Sequence, residues 1–379
     1  MAVVPVIPVM IPDLGEEEAQ AAADAIRSGW VAQGPRVARF EQEFAAAVGA
    51  GHGVAVSSCT TGLHLALVLL DIKPGDEVVV PSLSFIATAN AVRYVGATPV
   101  FADVELATGN VTVETVDAVR TERTRAVIAV HQGGVPFDTA ALRKATDGWG
   151  IGLVEDAACA AGSTAYGAPA GTGARVAAWS FHPRKLITTG EGGMVTVDSV
   201  EAATRLKRLR EHGMNVSAAD RHASKQPVLE AYLETAYNYR MTDIQAAVGL
   251  VQLGKLAGLV AQRRQFAARY QELLSDIDGL VPVRDPAYGQ TNYQSFWVLL
   301  DGFPVSRDEV LSTLAAKGVS ARRGIMAAHL EPAYADMAAG PLPVTERITR
   351  ESLILPLHHK LTEADQDHIV GVLRELAIR

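Results

Sequence analysis

From about residue 50 to 200, short runs of apolar and β-branched residues alternate with longer stretches whose apolar positions recur every three or four residues. The short runs predict strands at Gly53–Ser57, Glu77–Pro81, Thr98–Asp103, Ala126–Val130, Gly152–Glu155, Val176–Phe181 and Met194–Val197. The intervening pattern predicts helices such as Thr61–Leu70, Ala87–Val95 and Asp138–Thr146. Strands that are apolar nearly throughout belong to a sheet covered on both faces, and their alternation with helices makes that sheet mostly parallel. Such sheets take their ligand beyond the carboxyl ends of the strands. The residues with chemistry to offer gather there: Ser57-Ser58-Cys59-Thr60, Pro81–Phe85, His131-Gln132-Gly133-Gly134 and Glu155-Asp156.

After residue 200 the pattern turns helical, with a long helix predicted from Thr242 to about Leu274. Residues 280–379 mix a strand at Ser295–Leu300 with helices at Arg307–Lys317 and Thr362–Ala377, an α+β pattern. The expected division is a large α/β lobe over residues 1–250 and a smaller α+β lobe over 251–379, since 379 residues exceed one small core.

A hydrophobic share of 49% with 20% charged residues fits an ordinary globular chain, and a net charge of −8 without like-charge blocks argues against a nucleic-acid or anionic-membrane surface. Two cysteines, Cys59 and Cys159, exclude a disulfide framework and fit a reducing cytoplasm. The apolar N-terminus lacks basic residues and carries Pro5, Pro8 and Pro12, which spoil a signal helix. The apolar stretch Leu65–Leu70 is far too short to span a bilayer. The expectation is a soluble, cytoplasmic protein. The ten histidines show no metal-binding spacing, no GxSxG elbow occurs, and Gly49, Gly51 and Gly53 precede a strand, unlike a dinucleotide loop.

Lys185 is the most informative residue. It lies between the apolar segment Val176–Phe181 and the glycine-rich turn Thr188–Gly193. A surface lysine is the ordinary reading of any one lysine. Here burial and a nearby cation would lower its pKa and release a neutral amine able to form an imine with an aldehyde. The glycines would let backbone approach a ligand closely. Asp156 closes the apolar strand Gly152–Glu155 and is either a helix cap or a partner for a protonated pyridine nitrogen. A lysine for the imine and an aspartate for the ring are the two groups that a pyridoxal 5'-phosphate (PLP) enzyme needs. Ser57–Gly62, entering a helix, offers free N–H groups and a positive dipole end to a phosphate, and Ser180 would add a hydroxyl. Phe85 would stack on a cofactor ring or serve as core.

These residues resemble, in order along the chain, the segments of DegT/DnrJ/EryC1/StrS nucleotide-sugar aminotransferases, a branch of the fold-type I PLP enzymes. The resemblance is carried by Ser28-Gly29-Trp30, Gln33-Gly34-Pro35 and Phe40-Glu41, then by Ser58–Leu67, Glu155–Ala158 and Ser180–Lys185 with Thr189–Gly193. Arg210–Met214, Asn238–Asp243, His329–Tyr334 and Leu355–His358 continue it. It implies a large domain with a mostly parallel seven-stranded sheet flanked by helices, and a smaller α+β C-terminal domain. It also implies that Lys185 holds PLP and shuttles protons and that Asp156 pairs with the ring nitrogen. Thr60, Thr61 and Ser180 would bind phosphate, and Phe85 would stack on the ring. Asn238 would reach the cofactor phosphate of a second subunit, so that a homodimer shares its active sites. His329, Tyr334 and Arg240 are candidates for substrate binding. Glutamate is the implied amino donor, with the pyridoxamine form arising in the cycle, and a nucleotide-linked keto sugar the implied acceptor.

Two departures bear on the acceptor. Cys159 stands where the family commonly has Gln, near the cofactor's phenolic oxygen, and Ala161 where it has His; Cys59 also replaces the usual Gly before Thr60. The His-Pro-x-Lys-x-Ile-Thr-Thr-Gly-Glu-Gly-Gly run resembles members directed to a 4-keto carbon of a 6-deoxyhexose. The other readings are aminotransfer to a cyclitol or another ring ketone without a nucleotide, and an inactive ligand-sensing relative. A sugar 3-dehydratase is disfavoured because Lys185 is retained where those members have histidine. Acceptor selectivity is expected to lie in loops 214–237 and 320–345.

Overall fold

The computed structural model describes residues 6–216, 227, 229–337 and 339–378. All seven predicted strands form, within two residues of their expected limits: β1 (His52–Val56), β2 (Glu77–Pro81), β3 (Thr98–Ala102), β4 (Thr124–Val130) and β5 (Gly152–Asp156). A short hairpin of β6 (Thr164–Ala165) and β7 (Ala168–Pro169) follows, then β8 (Ala177–Ser180) and β9 (Gly193–Val197). The large sheet has the order β1-β9-β8-β5-β4-β2-β3, and β9 alone runs against the others.

The nearly continuous apolar runs are explained by burial on both faces. Val54 and Val56 of β1 pack with Leu63 and Leu67 of the helix Cys59–Leu69, while Ala55 between them packs on the opposite face with Phe40 and Phe44. Alternation puts Ala178 of β8 on the first face and Ala177 and Trp179 on the second. Phe44 meets Trp179 edge-on at 5.3 Å and Phe181 at 5.1 Å between ring centroids, each contact contributing about 0.5–1.5 kcal/mol beyond buried area. This aromatic cluster fixes the strand that delivers Lys185.

The helix Asp243–Leu273 starts where Thr242 accepts from the Gln245 N–H, an N-cap with Gln at the third helical position. It joins two cores: Ala246, Leu256 and Leu259 pack with Phe40, Phe44 and Trp179, whereas Ala267 and Tyr270 pack with Phe296 and Leu353. By length and composition alone this helix is apolar enough to cross a membrane, a property the Leu65–Leu70 stretch does not reveal. The smaller lobe holds β10 (Leu280–Pro282), β11 (Gly289–Gln290), β12 (Phe296–Leu300), β13 (Arg322–Arg323) and β14 (Ser352–Leu355). Its antiparallel sheet has the order β10-β12-β14-β13, and β11 leaves it to pair with β6 on the large lobe.

The N-terminal segment pairs with the C-terminal part of the chain: the Ile7 N–H donates to Gly318 O at 2.8 Å and the Leu357 N–H to Val9 O at 3.2 Å. Several residues that carry the family resemblance are structural. Arg210 Nη1 donates to the buried Glu41 carboxylate and to Ala55 O, and Asp243 accepts from the N–H groups of Arg36 and Val37. In loop 214–237, residues 217–226 and 228 lie outside the described residues, as do 338 in loop 320–345 and the termini 1–5 and 379.

Candidate active site

The carboxyl ends of β1, β8, β5 and β2 and the amino end of β9 gather the site. Strand register places Val56, Gly193 and Ser180 side by side, so Ser180 at the end of β8 comes next to the segment Ser57–Thr61 that follows β1. A Cβ on Gly193 would stand 2.5 Å from the Ser58 carbonyl carbon and 2.6 Å from Cys59 N. At Gly193 the glycine-rich turn therefore closes on the Ser58–Cys59 backbone, a contact that a side chain would prevent.

At Ser58 the helix is capped reciprocally. Ser58 Oγ accepts from the Thr61 N–H at 3.2 Å, and Thr61 Oγ1 accepts from the Ser58 N–H at 3.1 Å. The cap takes up the Thr61 hydroxyl, which also donates to Ser58 O at 2.8 Å, whereas the half-buried Thr60 hydroxyl has no protein partner among the described residues. The Cys59 and Thr60 N–H groups have no intrahelical acceptor and form the positive end of the helix dipole. Among the described residues Ser180 Oγ accepts only a long bond from the His182 N–H, at 3.4 Å.

Asp156, 4% exposed, ends β5. Its Oδ2 accepts from Thr88 Oγ1 at 2.9 Å, and its Oδ1 accepts from the Ala158 N–H at 3.2 Å with Cys59 Sγ at 3.9 Å. Burial pushes this carboxyl above the usual carboxylate range, against the Thr88 and Ala158 hydrogen bonds and the charges of Lys185 and His131. Behind it, His131 Nε2 faces Glu155 Oε2 at 3.4 Å, and Arg143 holds Glu155 Oε1.

Lys185 Nζ lies 3.1 Å from Cys159 Sγ. Burial pulls the Lys185 pKa down, but Cys159, with Cys59 and Asp156, more than reverses this, so the ammonium is held above its ordinary value. The expected cation beside the lysine is replaced by sulfur and carboxylate neighbours, which reverses the predicted direction. The lysine segment is clamped from outside the sheet: the Leu186 N–H donates to Gln294 Oε1 at 2.9 Å, Gln294 Nε2 to Arg184 O at 2.6 Å, and the Thr188 N–H to Gln252 Oε1 at 3.1 Å. Asn292 Nδ2 holds both Cys159 O and Ala161 O at 2.8 Å. Sequence reading missed Thr88, Gln252, Asn292 and Gln294, whose residue types carry no signal until the fold brings them in.

The remaining candidates separate. Phe85 is 63% exposed, so it is not core and its face is open. Asn238 is exposed on a segment whose backbone extends the β1 side of the sheet, the Ser57 N–H donating to Tyr239 O. Arg240 faces the Glu211 carboxylate at 3.5 Å. His329 and Tyr334 are taken up by the seam between lobes: His329 Nδ1 meets Ser82 Oγ at 2.6 Å, and the buried Tyr334 hydroxyl donates to Asn90 Oδ1 at 2.7 Å. Both polar ends are engaged by protein within this chain.

Residues 12–374 match the DegT/DnrJ/EryC1/StrS aminotransferase family. Among solved structures the chain is similar to the aminotransferase TlmJ from Streptoalloteichus hindustanus, at 38% identity over 97% of this chain and 98% of that one, with a TM-score of 0.89. It is similar also to DesI, solved in the presence of its TDP-sugar product, at 32% identity over 99% and 93% with a TM-score of 0.88. A third is the sugar aminotransferase Spr1654 of Streptococcus pneumoniae in its PMP form, at 27% identity over 99% of each chain with a TM-score of 0.91.

Proposed function

The chain belongs to the DegT/DnrJ/EryC1/StrS aminotransferase family, and within it we propose a specific reaction and acceptor. The protein is a PLP-dependent sugar aminotransferase. Its donor set fits the cofactor: a primary amine at Lys185, a buried carboxyl at Asp156 that burial disfavours without a cationic partner, and a capped helix end for a dianion. Lys185 would hold the aldehyde carbon, Asp156 the ring nitrogen, Thr60, Ser180 and the Ser58–Thr61 backbone the phosphate, and Phe85 one face of the ring. The Thr61 hydroxyl would serve by shaping the cap. When bound, the cofactor supplies an electron-withdrawing ring that stabilises negative charge at the carbon bearing nitrogen.

The residues do the rest. With the cofactor bound, Asp156 would be ionised against the ring nitrogen and would favour its protonated form. Lys185 Nζ would serve as the proton carrier, taking a proton from the carbon that gives up nitrogen and delivering one to the carbon that gains it. Cys159 borders that amine, and Cys159 and Ala161 together leave a smaller wall than Gln and His would.

In this reading glutamate is the donor and the acceptor is a nucleotide-linked 4-keto-6-deoxyhexose. DesI's TDP-sugar product and the form of the Lys185 segment support this. The exposed position of Asn238 supports a homodimer in which it completes the phosphate site of a second copy. Two reduced thiols, one of them beside Lys185, favour a cytoplasmic setting. The observation that carries the proposal is the convergence of the Lys185 amine, in the turn after β8, on the Asp156 carboxyl at the end of the neighbouring β5, where the charge of each acts on the other. Purified enzyme incubated with glutamate and, separately, with 3-keto and 4-keto nucleotide sugars tests it. An amino sugar from the 4-keto series is the expected result; product from the 3-keto series alone refutes the regiochemistry. Turnover of nucleotide-free ring ketones alone would shift the acceptor to the cyclitol class.

A further inference from the structure

Ser84 and Thr88, each 2% exposed, lie four residues apart across the turn that carries Phe85; Thr88 is the Asp156 partner described above, and Ser84 stands behind it. Ser84 Oγ is 2.8 Å from Thr88 Oγ1, and Thr88 Oγ1 donates to Asp156 Oδ2 at 2.9 Å. An ionised Asp156 has no proton to give, so Thr88 must be the donor. Thr88 then keeps only its lone pairs for Ser84, and Ser84 must donate to it. The result is a one-way chain of three buried groups, in which each bond polarises the next. On the other oxygen, Oδ1 accepts from the Ala158 N–H at 3.2 Å and has the Cys59 thiol at 3.9 Å, which leaves lone-pair capacity for a cationic N–H.

We propose that Thr88, oriented by Ser84, is a positioning residue for Asp156: it holds Oδ2 so that the carboxylate stays ionised and presents Oδ1 to the cofactor's ring nitrogen. This rests on the reading of Asp156 as the ring partner. The charged and titratable groups that face Asp156 are Lys185 after β8, His131 after β4 and Cys59 at the helix start; His131 in turn faces Glu155, which Arg143 holds. Lys185 gives up its free ammonium when it takes the cofactor's aldehyde, and His131 is shared with Glu155. The fixed donors to the carboxylate are then Thr88 and the Ala158 N–H.

The test measures the affinity of apoenzyme for PLP as a function of pH, from the acid edge of stability to neutrality and above, for wild type, Thr88→Val, Thr88→Ser, Ser84→Ala and Asp156→Asn. Thr88→Val keeps volume and loses the hydroxyl. It should move the acid limb of affinity upward by about one pH unit and weaken binding at pH 6 by about tenfold. Thr88→Ser should stay within about twofold of wild type, and Ser84→Ala should move the limb the same way by less. A packing role predicts the reverse order, with Val tolerated and Ser impaired, and no movement of the limb. An unmoved limb in Thr88→Val, with Asp156→Asn abolishing the limb, overturns the proposal and leaves the ring-partner reading intact. A wild-type limb in Asp156→Asn overturns that reading and the proposal with it. Thermal melts of each apoprotein separate misfolding from weakened binding, and Thr88→Ser supplies a folded control.

Discussion

Asp156 and Lys185 lie at the floor of the site among fixed partners, whereas Phe85, Asn238, Tyr232 and Leu233 stand exposed and unburied by the chain that carries them. The floor is built from strand ends whose positions are dictated by a sheet covered on both faces. Its side chains are tied to Thr88, Cys159 and Ala158, and its backbone to Gln252, Asn292 and Gln294. The exposed set is built from a turn and from segment 229–240, where side chains stand open to solvent and are the surface the proposed ligand and second copy would cover. Under the proposed function, the reaction is set by the part of the molecule that folding determines, and the acceptor by the part that binding completes.

The contrast is broken most severely at Lys185. Lys185→Ala should lower the turnover number by about 10⁴-fold or more, because both the attachment point and the proton carrier go at once. Steady-state assays with glutamate measure it.

Asp156→Asn should lower turnover by about 10²–10³-fold while sparing the apoprotein. The sign follows from burial. The folded-state pKa of Asp156 is raised, so the native state holds this proton more tightly than the unfolded chain does. Its contribution to stability is present below the ordinary carboxylate range and is lost as pH rises from there through the folded value. The difference in apoprotein melting temperature between Asp156→Asn and wild type should therefore move in favour of the variant as pH rises from about 3.5 to 7. A difference that does not move with pH would show that Asp156 already has a cationic partner.

At Cys159 the effect is smaller and kinetic. The sulfur helps hold Lys185 above its ordinary pKa, and only the neutral amine attacks an aldehyde. Cys159→Ala should speed capture of PLP by apoenzyme at pH 8 by about three- to tenfold, read by stopped-flow absorbance. At the exposed end, Leu233→Ser should change the stability of the isolated chain by less than about 0.5 kcal/mol in denaturant unfolding.

The same division explains what was legible in the sequence. The seven strands and the helix Asp243–Leu273 were readable because continuous apolar runs and a Thr-x-x-Gln cap are local signals. Lys185 and Asp156 were readable because each sits where such a run ends. Asn292 and Gln294 were not, since a small-lobe amide reaches Cys159 or Leu186 across more than a hundred positions. Thr88 was hidden in a helix start that looks ordinary. The direction of the Lys185 pKa was misread because it depends on Cys159 and Asp156, which only the fold sets beside it. The hairpin β6–β7 was missed because two-residue strands around Tyr166 and Gly167, both at positive φ, leave no periodic pattern.

The central claim is that Lys185 is the amine that holds the cofactor. Wild-type protein loaded with PLP, reduced with borohydride and digested should carry the cofactor's added mass on the peptide containing Lys185, and glutamate given before reduction should remove that label. Label on a different lysine, or an unlabelled protein in the absence of glutamate, would contradict it.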